Sequence, residues 1–474
     1  MKLSAKVAYN TIIQVASKFI ATGLGLAAVA VMTRYLGAAG FGQYTTIITF
    51  LSFFAIMADM GLTLVTAQMI SRPGVNQDKI VGNIFSLRLV SAVMFLGLAP
   101  LTVFFFPYDP IIKIGVAVAA LSFFFIALNQ VFVGVFQKNL RMDKVSIAEV
   151  AGRTVLLAGV IAAVRLDYGL IGIMAVTVIA SMVNFLLLYS FSVKLVRVKL
   201  SFNKGVWKEI AQKSWPLALT IALNLVYLKT DTLILSLIRP QEEVGIYGAA
   251  YKVIDVLITV PFMFAGLILP IIAAEWAKKN IESFKNIMQK SFDAMAIVAL
   301  PLVIGAQFTA KPIMVFVAGQ NFGASGPVLQ VLIIAAGIIF LGSAFTHGII
   351  AVNKQKKIIG AYLFVGVTAV AGYLVFIPKY SYFGAAWVTI YSELAVVSAS
   401  VYLIWKYTKF LPNLKIFFKS LLASAVMGVW LYSAQADRQA NLFLVLAEAT
   451  IIYFGMLYAV KGISKRDLMD LMNK

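Results

Sequence analysis

Long apolar runs separated by short polar turns recur along the whole chain of 474 residues. A run of about 20 apolar residues crosses the hydrocarbon core of a bilayer as an α-helix. Fourteen such runs stand at 10–33, 43–70, 83–106, 111–137, 146–164, 170–193, 214–237, 244–273, 290–308, 327–352, 358–377, 383–405, 415–433 and 441–460. The pattern predicts an all-α polytopic membrane protein of about 14 transmembrane helices. No connection is long enough to hold a separate soluble domain.

Composition agrees: the chain is 61% hydrophobic and 12% charged, more apolar surface than a soluble protein keeps from water. A net charge of +21 would suggest nucleic acid as partner of a soluble chain. Here basic cytoplasmic loops explain it, and no nucleic acid is expected. Cysteine is absent and His347 is the one histidine, which excludes disulfides and thiolate chemistry and leaves little room for a His-based metal centre. The first run follows Lys2 and Lys6 as in a signal peptide, but its length and the many spans after it mark a retained first helix.

Lys and Arg set the orientation. Arg34, Lys113, Arg165, Arg239, Lys311, Lys379 and Arg438 fall in the loops of one side, and the other loops hold the clusters, such as Lys138 to Lys144 and Lys194 to Lys213. The bias alternates loop by loop, so both termini are expected in the cytoplasm.

The chain also echoes itself. Arg34-Tyr-Leu-Gly-Ala-Ala-Gly-Phe-Gly-Gln-Tyr44 is a turn between two apolar runs, and Val244-Gly-Ile-Tyr247 repeats its end, with Gly42 and Tyr44 matching Gly245 and Tyr247. Gly172 to Thr177 resembles Gly384 to Thr389, each opening a span six helices apart. An even separation gives both halves one orientation, hence a parallel repeat with a central cavity between two lobes. The expected division is a lobe over 1–193, a basic linker over 194–213 about which the lobes rock, a lobe over 214–405, and helices thirteen and fourteen with a tail over 406–474.

With these residues in view, the chain resembles the polysaccharide flippases of the multidrug/oligosaccharidyl-lipid/polysaccharide exporter superfamily. The resemblance rests on Arg34, Leu36, Gly37, Phe41, Gly42 and Tyr44, on Asp59, Gly61 and Leu62, and on Asp231 followed by Val244, Gly245 and Tyr247. It implies a bacterial inner-membrane transporter moving a polyprenyl-pyrophosphate-linked oligosaccharide, such as an O-antigen, exopolysaccharide or capsule unit, from the cytoplasmic to the outer leaflet. A glycan polymerase and export machinery would be its partners besides the bilayer.

Ionisable residues inside the predicted spans are the candidate site, because a lone charge in the bilayer core costs about 2.5–3.5 kcal/mol on insertion scales. Lys18 shares a polar stripe with Asn10, Gln14, Thr22 and Gly25, suited to a phosphate; the alternative is snorkelling to the cytoplasm. Asn224, Thr220, Tyr227 and Asp231 form the corresponding stripe on the seventh span, with Asp231 either gating or structural. Glu149 and Arg153 stand at i,i+4 and Lys252 and Asp255 at i,i+3, so each couple is either a structural ion pair or a pyrophosphate contact. Arg88 is expected at the entrance or snorkelling, and Asp59 as motif architecture near the cytoplasmic end. Glu393 and Glu448 have no local partner, and a lone buried carboxylate at Glu393 suits an H+ or Na+ coupling ion. Asp293 reads as interfacial and His347 as structural.

No Walker loop, nucleophile elbow or metal-spaced cluster is present, so no cofactor is expected and the chain reads as a transporter, not an enzyme. The rival readings are a drug/cation antiporter of the same superfamily, a lipid-linked peptidoglycan precursor flippase, and a membrane glycan polymerase or ligase.

Overall fold

The structure, a computed structural model, describes residues 3–71, 76–434 and 441–463, with the side chains of 3–12, 64, 67, 216–217, 219–221 and 223–228 left aside. Among the described residues there are helices and no strand. They are α1 (Leu3–Asp59), α2 (Leu62–Ile70), α3 (Gln77–Thr102), α4 (Pro110–Lys138), α5 (Met142–Arg165), α6 (Gly169–Ser192) and α7 (Lys204–Ile238), then α8 (Gln241–Leu257), α9 (Thr259–Ala277), α10 (Ile281–Ala318), α11 (Ser325–Ala351), α12 (Gln355–Thr408), α13 (Lys415–Ala434) and α14 (Leu442–Ala459).

These helices map onto the predicted spans after three adjustments. Helix α1 holds the first two spans, broken at Gly37 (φ 65°), a left-handed turn that favours glycine. Helix α12 holds the eleventh and twelfth, broken at Ser381 (φ 52°) just after Pro378. The eighth span is α8 and α9 in series. Eleven described helices are long and apolar enough to cross a membrane when the broken ones are counted whole. Separating the halves of α1 and α12 and adding α7 restores the fourteen spans.

Two boundaries differ from the sequence expectation. The second span does not run unbroken to residue 70: Met60 (φ 47°) and Gly61 (φ 72°) turn left-handed and divide it. The Asp59 carboxylate stabilises that break by accepting from Gly61 N and from Thr63 Oγ1. The seventh span starts earlier than 214, because Asn203 caps a helix from Lys204 by accepting from Gly205 N and Val206 N. The apolar rule detects only the membrane part of such a helix.

The chain forms two compact units, Met1–Gly248 and Ala249–Lys474. In the first, α4 lies against α6, α1 against α5, and α7 against α1. The connection before α7 is strapped to α3: Arg197 N donates to Asp78 Oδ1 (3.0 Å), Ser201 N to Ser86 Oγ (2.9 Å) and Asn203 N to Asn83 Oδ1 (2.9 Å). The basic connection is therefore fixed to the first unit over these residues.

The repeated glycines have a packing reason. A Cβ on Gly42 would strike the Gln241 carbonyl, and a Cβ on Gly245 would strike the Ala38 carbonyl. The second half of α1 and the start of α8 thus cross backbone against backbone, by reciprocal contacts of the two motif copies. Small residues permit such approach where lipid offers no hydrophobic drive. Thr46 Oγ1 adds a bond to Gln241 Oε1 (2.8 Å).

In the second unit α11 packs on α10, α12 and α9. Helices α13 and α14 are fixed to α10, where Tyr453 donates to the Ile297 carbonyl (2.7 Å) and meets Ser420 Oγ (2.7 Å).

Candidate functional site

The helices of the first unit line an open cavity of ≈ 530 Å³. Helix α1 contributes Lys18, Tyr44 and Ile48, and α5 contributes Glu149, Gly152 and Arg153. Helix α4 contributes Ser122, Asn129 and Gln130, and α6 contributes Thr177, Ser181 and Asn184. A bond from Ser17 Oγ to Ser146 Oγ (2.7 Å) sets α1 against α5 just beside the charges.

The charges are shared out in a way spacing alone did not show. Glu149 pairs with Lys18, Nζ to Oε1 at 2.9 Å, and not with Arg153 four residues on. The Glu149 carboxylate turns toward α1. Arg153 is left on the cavity wall with no hydrogen bond or ion pair among the described residues, and its side chain is exposed. The wall therefore holds Lys18, Arg153 and Glu149, one more cation than acid. A guanidinium with all five donors open matches a phosphate bidentately. Lys18 is half-exposed and can turn from Glu149 to the same ligand.

Arg88 requires a correction. It is neither at an entrance nor snorkelling: it is 1% exposed and among the largest fully buried side chains. Its Nε donates to the Ala127 carbonyl (2.9 Å), Nη1 to the Asp59 carbonyl (2.9 Å) and Nη2 to Thr63 Oγ1 (2.8 Å), and it forms an ion pair with Asp59. Arg88 thus clamps the left-handed break after Asp59, which gives the Asp59-x-Gly61 motif its architectural role.

Asp231 is fully buried, and its Oδ2 accepts from Tyr247 Oη (2.7 Å). Two motif residues therefore tie α7 to α8. Gln14 is half-buried and is not among the residues lining the cavity. Asn224 lies on α7, but its side chain is outside the described residues, as are those of Thr220, Tyr227 and Asn10. Arg34 is exposed beside the Gly37 corner and donates to the Ala30 carbonyl (2.8 Å).

In the second unit Lys252 and Asp255 form the i,i+3 pair at 4.0 Å. Glu393 is 4% exposed, and its Oε1 has no hydrogen-bond partner among the described residues. Thr389 and Ser392 are buried near it on α12. Glu448 is exposed on α14, Asp293 accepts from Gln289 Nε2 (2.9 Å), and the His347 ring bonds the Ser343 carbonyl (2.9 Å). No cluster of acids and histidine able to hold a metal occurs among the described residues.

Sequence reasoning missed the polar wall of α4. Ser122 and Asn129 stand seven residues apart on one helix face, a signal present in the fourth span but uncharged and easily passed over.

Comparisons with known proteins place the fold. No curated protein matches the chain. Among solved structures it is similar to a lipid II flippase, MurJ, in an inward closed conformation, with 16% identity, 97% of this chain and 99% of that one covered, and a TM-score of 0.78. It is also similar to an inward-facing multidrug resistance MATE family transporter of the MOP superfamily (14% identity, 84% and 98% covered, TM-score 0.71). A MOP superfamily transporter from Pyrococcus furiosus matches at 14% identity, with 85% and 95% covered and a TM-score of 0.60. At these identities the likeness shows the fold. The model of the family described as polysaccharide biosynthesis protein matches residues 7–276, more than half of the sequence. With its membrane-length helices and its two motif copies, the chain belongs to the polysaccharide biosynthesis protein family.

Proposed function

We propose that the protein is a flippase that carries a polyprenyl-pyrophosphate-linked oligosaccharide from the cytoplasmic to the outer leaflet by alternating access of its two repeats. The observation that carries this reading is the open guanidinium of Arg153 beside the half-exposed Lys18 in a membrane-embedded cavity. A charge is retained there among membrane-spanning helices, where charges are costly, and an anionic pyrophosphate repays that cost through charge-assisted bonds. The glycan occupies the hydrated space and the prenyl tail stays in lipid. The same balance of charge disfavours a cationic drug, since Glu149 is already engaged by Lys18.

Glu393 is the proposed coupling group of the second unit, taking H+ or Na+ at its unpartnered oxygen. Lys252 is a further candidate contact for the pyrophosphate on the C-terminal repeat, with Asp255 as its resting partner. Direction, the O-antigen, exopolysaccharide or capsule nature of the glycan, and the inner-membrane setting with cytoplasmic termini belong to the same proposal.

The test is deletion of the gene followed by leaflet-selective labelling of polyprenyl-linked oligosaccharides. Build-up in the cytoplasmic leaflet, cleared by the wild-type gene, is the expected result. An unchanged lipid pool contradicts the reading and directs attention to drug efflux. Build-up of short units already exported indicates a polymerase.

A further inference from the structure

The headgroup proposal uses the α1 and α5 walls of the first-unit cavity and leaves the α4 and α6 walls unexplained. Those walls carry uncharged polar side chains in contact with one another. Ser122 Oγ lies 2.7 Å from Ser181 Oγ and donates to the Thr177 carbonyl at 3.2 Å. Asn129 Nδ2 donates to Asn184 Oδ1 at 3.3 Å, at the long end for such a bond. Asn129 is 7% exposed, and its Oδ1 has no partner among the described residues.

The unpaired half of this buried amide gains a partner of matching chemistry when the side chain turns toward the cavity that Asn129 lines. Exchanging the oxygen and nitrogen of Asn129 would leave an N–H unpaired in place of a carbonyl. An acylamino group both donates through its N–H and accepts through its C=O, so it completes the amide in either orientation. Acylamino sugars supply such a group. Gly152 brings the wall close to the cations: a Cβ there would meet Asn184 Cβ at 3.1 Å, so α5 and α6 touch one residue away from Arg153.

We propose that Asn129 and Asn184 form a sugar-reading subsite for the ring joined directly to the pyrophosphate, bonding the acylamino group of that ring. This rests on the headgroup reading, because phosphates held at Arg153 and Lys18 bring their first sugar to the adjoining wall. A cavity of ≈ 530 Å³ lies within the range of small-ligand pockets, about 300–1,000 Å³, and suits a headgroup with its proximal sugar better than an extended chain. The subsite would make the first ring, and not the distal sugars, the part of the cargo that is selected.

The competing account is an interhelical clamp, since asparagine and serine also join helices in membranes. A selectivity ratio separates the two. Full-length protein in liposomes is given two undecaprenyl-pyrophosphate lipids, one bearing an N-acetylhexosamine and one bearing the same ring without its acetamido group. A site built to bond a polar group rejects the analogue lacking it, so wild type is expected to flip the first lipid roughly tenfold faster. Asn129→Leu and Asn184→Leu are expected to bring the ratio near unity by slowing the first lipid and sparing the second. Equal slowing of both lipids is the behaviour of a clamp and overturns the subsite. Equal rates in wild type overturn it without any variant, so a misfolded substitution cannot shield it. Arg153→Ala slows both lipids alike if the headgroup reading holds. Flipping of neither lipid by wild type sinks that reading itself, whereas slowing by Arg153→Ala together with a ratio left unchanged by the asparagine variants sinks only the subsite.

Discussion

Arg88 and Arg153 are the same side chain inside membrane-spanning helices, and the protein treats them in opposite ways. Arg88 is sealed from solvent and held by Asp59, Thr63 and two backbone carbonyls. Arg153 lines a cavity and engages none of the groups around it among the described residues. A charge in a helix interior marks importance, but its partners decide the kind. A saturated guanidinium stabilises the fold, and an unsaturated one facing a cavity has its donors open to a ligand.

The strongest way to break this contrast is Arg88→Leu. Removing one partner of a buried pair costs about 3–5 kcal/mol, because Asp59 is left charged without its cation. Membrane abundance and the thermal midpoint are expected to collapse, with partial recovery in Arg88→Leu/Asp59→Asn. Unchanged abundance would contradict the clamp.

Arg153→Ala is the mirror experiment. It is expected to leave abundance and melting unchanged and to lower flipping at least tenfold, about 1.4 kcal/mol or more in the transport step. Arg153→Lys should recover only part, since an ammonium lacks the bidentate fork.

Gly245→Ala probes the crossing of the motif copies. Overpacking of this kind costs typically about 1–3 kcal/mol, so reduced thermal stability is expected, and wild-type stability would show that the backbones do not meet as described. The mildest change is Glu149→Gln. A partly exposed pair contributes about 0–1 kcal/mol, so stability should hold while Lys18 is released. Pyrophosphate binding is then expected to tighten a few-fold, as read by calorimetry with inorganic pyrophosphate; weakened binding would place Glu149 among the ligand contacts.

Most of the fold was legible because helices in lipid must be long and apolar, a property that survives any arrangement in space. The left-handed breaks at Gly37 and Met60–Gly61 were visible only as motif glycines, and the charged start of α7 fell below the apolar rule. Individual charges were harder to place. The i,i+4 spacing of Glu149 and Arg153 suggests a pair, yet the partner of Glu149 comes from α1, far away in sequence. Arg88 read as peripheral because its distance from a helix end was apparent and the face it occupies was not. Asp231 and Tyr247 were both recognised as motif residues, but the bond that joins them was not.

The most direct measurement is leaflet-resolved flipping of an undecaprenyl-pyrophosphate oligosaccharide in liposomes holding wild type or Arg153→Ala at matched folded amounts. The account predicts rapid flipping by wild type and loss of at least nine-tenths of the rate, about one factor of ten, in the variant. Equal rates in the two would contradict the claim that the open cation of the first-unit cavity receives the headgroup.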